Sequence, residues 1–526
     1  MRIRTLAACL TAGALLLACG GTSGSNQSTT GPKQGGTLTT AIGIDPDTLD
    51  PAAQTTTTVS QIVLMMVEPL AQVDQNGKVQ PLLATKWEMA PDGMSYTYTL
   101  RQGVKFSDGE PFNAQAAKFS IDRLLSPNTF KSQPGVLKVI NDTVAVDDSH
   151  LKVNLKQPFA PFISAMAQAT VGMIAPNSVN QAPNTPATIA QPVGTGPYVF
   201  KERVKGDHVT MTRNPNYWGQ KPSYQTQTYK IVPEAASRES LVKAGQVDVA
   251  HLPPANDIPA LKQNSDVKLV LGPSDRTIQI IINNQDKSQP LLEKPEVRQA
   301  LNYAVNKQAI VKNVLFGAAD PVNSTMTSSL FGYCKTGSYD YNPNKAKQLL
   351  QQAGASGMSL KLISPQGRYI SDYNVAQAIA GDLRNVGLKV DLGNPMDWPT
   401  YQATTAVAPD KATTDLHLLG WAPQYLDASQ NLVQFQKDQW APTGQATAYF
   451  DDPQASALIQ KANGETNDSQ RKQDYCQAQK MIWNSAPWIF LYNQKNPFVV
   501  SNKVQGVYGL PNEQFKTTWA SPAANA

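Results

Sequence analysis

Charge is scarce in this chain of 526 residues: Asp, Glu, Lys and Arg together make up 16%, against about 25% in ordinary soluble domains. The 45 basic and 40 acidic residues nearly cancel, leaving +5, which excludes a protein whose main partner is nucleic acid. Long apolar runs are missing beyond the N-terminus, so nothing after it reaches the ~18 consecutive residues of a membrane span. Cysteine and histidine are also rare, with four of each. His150, His208, His251 and His417 are far apart, and no His-Glu-x-x-His helix exists to hold a catalytic zinc. A Gly-x-Ser-x-Gly elbow and a Walker A phosphate loop are absent too. Apolar residues at 41%, with 34 Gly and 38 Pro, suffice for large cores and exclude wholesale disorder and collagen-like or coiled-coil chains. The length suits about two to four domains.

The N-terminus is an address. Arg2 and Arg4 precede an uncharged, mostly apolar run from Leu6 to Ala18. That run is too short to span a bilayer and fits the core of a secretory signal. It ends Leu16-Leu17-Ala18-Cys19, which resembles a bacterial lipobox. Residues 20–34 are rich in Gly, Ser and Thr with almost no apolar side chains, as in a soft tether. The expectation is a signal peptide over 1–18, a lipid on Cys19, a flexible tether over 19–34 and an otherwise soluble body held outside the cytoplasm. Cys9 leaves with the signal. Cys334 and Cys476 remain, and in an oxidising compartment they either pair or stay as two buried thiols.

Strand and helix signals alternate without a repeat. Tyr96, Tyr98 and Leu100 alternate with threonines, as do Val209 and Met211, and Ile278 to Ile282 is a β-branched run closed by Asn283-Asn284. Val297, Leu301, Ala304 and Val305 share a helical face. Asn342 is a cap, Pro343 suits the first turn, Ala346, Leu349, Leu350 and Ala353 share a face, and Gly354 fits a left-handed stop. Ala376 to Leu383 is a further helix. The mixture predicts an α/β or α+β class. The Pro-containing stretch 174–195 reads as a connection between units.

Three fragments imitate the acyl-serine site of penicillin-interacting proteins: Ser240-Leu-Val-Lys243, Lys335-Thr-Gly337 and Ser126-Pro-Asn128. Their order is wrong, because Ser126 precedes Ser240. Asp45, Asp47 and Asp50 resemble the start of a calcium loop but lack its glycine and distal glutamate, so turn and cap roles are expected. No catalytic residue, metal or cofactor is assigned. A secreted hydrolase with two unmarked carboxylates remains as an alternative of a different class. A third class, a binding module acting as chaperone or surface sensor, would share the fold.

Residues 81–124 carry Leu100-Arg101, Val104-Lys105-Phe106, Asp108-Gly109 and Phe119-Ser120, closely resembling the signature of family 5 extracellular solute-binding proteins. Further blocks follow in that family's order: Gly36-Thr37-Leu38, Leu49-Asp50-Pro51, Gly194-Thr195-Gly196-Pro197-Tyr198, Arg213 to Trp218, Ala244 to Asp248, Val297 to Leu301 and Asn342 to Gly354. The resemblance spans about residues 35–515. It implies a periplasmic-binding-protein-like α/β clamshell of three domains with a hinge, of the cluster C or class II type. Domain I is then 35–65, 191–275 and 491–526, domain II 66–190 and domain III 276–490, with hinge crossings near 275 and 490. It also implies a monomeric receptor that captures peptides, or a non-peptide such as an oligosaccharide. That receptor delivers its cargo to an ABC permease and, through it, to ATPase subunits. The lipid anchor would hold it to the bacterial cell membrane.

The family's peptide binders hold their ligand as an added strand. Here the resemblance places the ligand against Gly420, Trp421 and Ala422 on one side and Thr56, Thr57 and Thr58 on the other. Peptide binders usually carry an Asp four residues after that glycine, where it pairs with the peptide's α-ammonium. This chain has Gln424, which neutralises nothing. Asp427 either replaces the missing acid or caps a helix. The substitution points to a ligand without a free α-ammonium, such as a blocked or cyclic peptide or an oligosaccharide.

Overall fold

Thr277–Ile282 carries no charge and alternates Ile278, Ile280 and Ile282 against Thr277, Gln279 and Ile281; all six side chains are buried in the computed structural model. The structure describes residues 35–53, 56–126, 135–179, 189 and 191–524. The signal peptide, Cys9, Cys19, the tether and Asn128 lie outside the described residues. Thr277–Ile282 is an inner strand of a six-stranded sheet. The order is Ala319–Pro321, Trp488–Gln494, Thr277–Ile282, Leu416–Trp421, Ser359–Ile363, Lys389–Leu392. Ser359–Ile363 runs parallel to both Leu416–Trp421 and Lys389–Leu392, and the other pairs are antiparallel. One face, with Ile278, Ile280, Leu416 and Leu418, packs on the helices Pro295–Ala304, Pro343–Ala353 and Asp372–Asn385. Each aliphatic side chain so buried contributes about 1.5–3 kcal/mol. The opposite face, with Ile281 and Phe490, meets Leu432, Phe435 and Trp483.

Local signals set the helices. Asn342 accepts from the Lys345 amide at 3.0 Å, Pro343 occupies the first turn, and Gly354 ends the helix at φ +73°. That conformation suits a residue without Cβ.

A second, seven-stranded sheet has the order Val267–Gly272, Asn496–Ser501, Val249–His251, Thr37–Ile42, Thr226–Ile231, His208–Arg213, Tyr198–Val204. Thr37–Ile42 is parallel to Thr226–Ile231 and to Val249–His251. The chain passes between the two sheets at 273–276 and again at Lys495. The second passage comes later than the expected 490, because Trp488–Gln494 stays paired with Thr277–Ile281 and Ala319–Pro321. The two passages lie side by side: Gly272 faces Asn496 on one side of them and Thr277 faces Asn493 on the other.

A third unit is an antiparallel sheet ordered Ala84–Met89, Ser95–Leu100, His150–Leu155, Ile140–Asp147, covered by helix Ala114–Leu125. It is tied to the seven-stranded unit by backbone contact and by buried acids. A Cβ on Gly194 or Gly196 would meet the Met66 or Met65 carbonyl at 2.3 or 2.6 Å, so that Gly-Thr-Gly block lets two backbones touch. Thr195, Tyr217 and Trp218 each donate to the Glu68 carboxyl at 2.8 Å. Burial still pushes that carboxyl above its ordinary range. Asp50 forms a buried bidentate pair with Arg123, one arm at 3.0 Å, and Asp45 accepts from Arg203 and from the Gly206 amide. The aspartates that imitate a calcium loop are therefore turn and pairing residues. Among the described residues no helix is long and apolar enough to cross a membrane.

Candidate functional site

In sheets with parallel strands, ligands bind beyond the carboxyl ends. Here the carboxyl ends of Ser359–Ile363, Lys389–Leu392 and Leu416–Trp421 all point toward the passages between the sheets. So do those of Thr37–Ile42, Thr226–Ile231 and Val249–His251 across them. The cleft between the sheets is thus the candidate site. A recess of about 740 Å³ lined by Ser359, Lys389 and Asp415 lies at the amino ends of the same strands, away from the cleft.

Gly420 and Trp421 end the strand at the cleft, opposite Ile278 and Thr277. A Cβ on Gly420 would stand 2.6 Å from both Ile278 and Tyr369, so glycine is required there. Tyr369 donates to the Gly420 carbonyl at 3.2 Å. Trp421 and Ala422 are half-buried, and Gln424 is exposed at the rim.

One expectation changes. The threonine run is not an extended partner strand. Thr56 caps helix Thr57–Val63, its hydroxyl accepting from the Val59 amide at 3.3 Å, so Thr57 and Thr58 occupy the first turn. A helical turn offers no strand edge for a ligand to extend. Of the two roles expected for Asp427, the structure shows the cap. Asp427 caps helix Ala428–Leu432 by accepting from the Ser429 amide at 2.9 Å, and Arg471 donates to its other oxygen at 2.8 Å. Both side chains are at most 4% exposed, and the Asp427 charge is already neutralised.

The passages carry groups that sequence reading missed. Arg276 grips Glu513 bidentately, Nε to Oε1 at 2.7 Å, and Ser274 adds a hydrogen bond at 3.1 Å. Burial raises the Glu513 carboxyl, but Arg276 outweighs it and holds the group below its ordinary value. Asn493 donates to the Ser274 and Arg276 carbonyls at 2.9 and 2.8 Å. Arg368 stacks 5.2 Å from the Tyr369 ring and 5.0 Å from Trp398, and has no side-chain hydrogen bond among the described residues. Burial and the nearby Arg276 charge lower its pKa. It is a cation at the carboxyl end of Ser359–Ile363, suited to a carboxylate. Nothing in the local sequence Gly367-Arg368-Tyr369 marks it; only the strand topology does. Cys334 and Cys476 form a disulfide with Cα atoms 5.3 Å apart.

His251 closes the passage on the seven-stranded side, its Nε2 2.8 Å from the Asn496 amide oxygen, while Asn496 donates to the Glu513 carbonyl at 2.6 Å. Burial holds the imidazole down at about 4. Because the folded value lies below the unfolded ~6.5, the neutral ring stabilises fully above that value, and the contribution is lost as pH falls toward the folded value. At pH 5 the loss is about 2 kcal/mol. Urea unfolding at pH 7.5 and pH 5 should therefore cost wild type about 2 kcal/mol more than His251→Gln. Equal losses in the two proteins would show that the imidazole is not held neutral.

The family model for bacterial extracellular solute-binding proteins, family 5 Middle, matches residues 78–443. The chain is 31% identical over 479 residues to a glutathione-binding protein of Pectobacterium atrosepticum, covering 90% of this chain and 92% of that one. Among solved structures, HbpA2 from Haemophilus parasuis superimposes with a TM-score of 0.81 at 26% identity, covering 93% of this chain and 100% of that one. DppA from Helicobacter pylori, in complex with the peptide STSA, gives 0.78 at 23% identity, covering 93% and 98%.

Proposed function

Since the chain belongs to the family 5 bacterial extracellular solute-binding proteins, we propose that it is the receptor of an ABC importer that closes on a small peptide. It releases the unaltered cargo to a permease, which passes it inward under the control of ATPase subunits. The observation that carries this reading is the pair of adjacent passages at 273–276 and Lys495, joining two sheets whose parallel carboxyl ends face one cleft. Two neighbouring connections let the lobes rotate without breaking either core. Under this reading the seven-stranded unit is domain I, the 66–190 unit is domain II and the six-stranded unit is domain III. The protein acts as a monomer outside the cytoplasm, tethered by a lipid on Cys19. The relative from Pectobacterium atrosepticum binds glutathione, an anionic tripeptide, and such a ligand suits a cleft offering Arg368.

The test is native mass spectrometry of the purified protein, followed by calorimetry with glutathione and with a tripeptide pool. Expected are a peptide mass released on denaturation, saturable one-to-one binding, compaction in small-angle scattering and no product. Turnover of the added peptides would replace the receptor reading with the hydrolase. Gln424 and the engaged Asp427 favour a second reading, an ammonium-free ligand. A single non-peptide mass or a hexose series would mark it.

A further inference from the structure

If the ligand is a peptide, its ammonium needs an acid, because a buried cation without a counter-charge is strongly penalised. The acids near the cleft are nearly all engaged. Asp427 is held by Arg471 and Glu513 by Arg276. Asp372 accepts from the amides of Gly367, Arg368, Tyr369 and Tyr373.

Asp275 is the exception. It sits in the first passage, two residues before the strand Thr277–Ile282, and is 1% exposed. Neither of its carboxylate oxygens has a hydrogen-bond donor among the described residues. Its neighbour Arg276 is committed to Glu513 and lies 5.7 Å from the Tyr369 ring. Further unpartnered polar atoms continue inward from Asp275. The Thr277 hydroxyl, both amide atoms of Gln279 and the Trp421 indole nitrogen are buried without partners among the described residues. Thr277 pairs with Trp421, and Gln279 lies opposite Leu419 and Phe490. Strand alternation therefore puts Thr277, Gln279 and Trp421 on one face, while Ile278, Ile280 and Ile282 fill the helix-backed core behind it. Thr277 and Gln279 also lie against Ser324 and Thr325. Native proteins leave few buried polar atoms unsatisfied, so several at the cleft end of one strand indicate a place where a bound molecule supplies the partners.

We propose that Asp275 receives the ligand's ammonium group, with Thr277, Gln279 and the Trp421 indole hydrogen-bonding the adjoining part of the ligand. This rests on the peptide-receptor reading and explains how the chain dispenses with an acid at 424. Burial and the Glu513 charge hold the Asp275 carboxyl well above its ordinary range, so the free group favours its protonated form and releases that proton as the ammonium pairs with it.

The experiment compares wild type with Asp275→Asn, both freed of co-purifying molecules, against a tripeptide pool and the same pool N-acetylated. Wild type should prefer the free-amine pool at least tenfold. The variant should lose at least tenfold in affinity for that pool while binding the acetylated one as wild type does. Ligand-free Asp275→Asn should melt at or above the wild-type temperature, because the carboxyl has no hydrogen-bond donor to lose among the described residues. A variant that keeps the wild-type preference, a wild type with no preference, or a variant melting several degrees lower overturns the assignment. Wild type binding neither pool removes the peptide reading itself, and this site with it.

Discussion

Replacing Cys334 and Cys476 with serine is expected to destabilise the six-stranded lobe by about 5 kcal/mol, the loop-closure value for a cross-link spanning 142 residues. The bond fixes the segment around Cys334 to the long helix Asp468–Ser485. Gln479 of that helix reinforces the junction, donating to the Gly332 carbonyl at 2.7 Å and accepting from Ser324 at 3.0 Å. Both anchors hold the 322–338 stretch, whose Ser324 and Thr325 lie against Thr277 and Gln279. Loosening it should weaken ligand binding as well as stability. The measurement is denaturant unfolding of the oxidised protein, the reduced protein and the double-serine variant, alongside affinity for whatever ligand co-purifies. A shift below about 1 kcal/mol would mean that the hydrogen bonds of Gln479 suffice without the covalent link. Such a bond persists in an oxidising compartment, in agreement with an extracytoplasmic home.

Much of the fold was legible because its signals are local. The helix Pro343–Ala353 carries its own cap, first-turn proline and left-handed stop within thirteen residues, and forms with those bounds. The buried strand Thr277–Ile282 follows from a run that is β-branched at every position but Gln279, which favours extended backbone over helix. The family blocks were legible too, though their reason was not. Gly194 and Gly196 are fixed by carbonyls more than 120 residues away. The site was read less well because its determinants are long-range. A threonine run favours extended backbone by propensity, yet the Thr56 hydroxyl starts a helix that packs Val59, Ile62 and Val63 into the core. Asp427 and Arg471 are 44 residues apart, and nothing in either neighbourhood announces their pairing. Asp275 stands out only through burial and through what fails to touch it. Sequence patterns encode which side chains face a core; they do not encode which polar atoms are left without partners.

Arg471→Met is expected to destabilise the protein by about 3–5 kcal/mol, because it strands the Asp427 carboxylate in a site with almost no solvent. The Arg471 guanidinium also packs 4.3 Å from the Phe331 ring and donates to the Ala462 carbonyl at 3.2 Å. Methionine keeps part of that packing, so most of the loss reflects the uncompensated charge. The double variant Arg471→Met with Asp427→Asn should recover most of the stability, since asparagine still caps Ala428–Leu432 and carries no charge. A double variant as unstable as the single one would mean that packing, not charge, dominates. The single variants Asp427→Asn and Asp275→Asn separate the two acids at the cleft. Asp427→Asn alone should leave the preference for free-amine peptides unchanged, because its carboxylate already belongs to Arg471, whereas Asp275→Asn should abolish it. Loss of the preference in Asp427→Asn would return the ammonium site to residue 427. The buried Arg471 pair would then have to open each time the lobes close on a ligand, at a free-energy cost that a receptor with any useful affinity would struggle to offset.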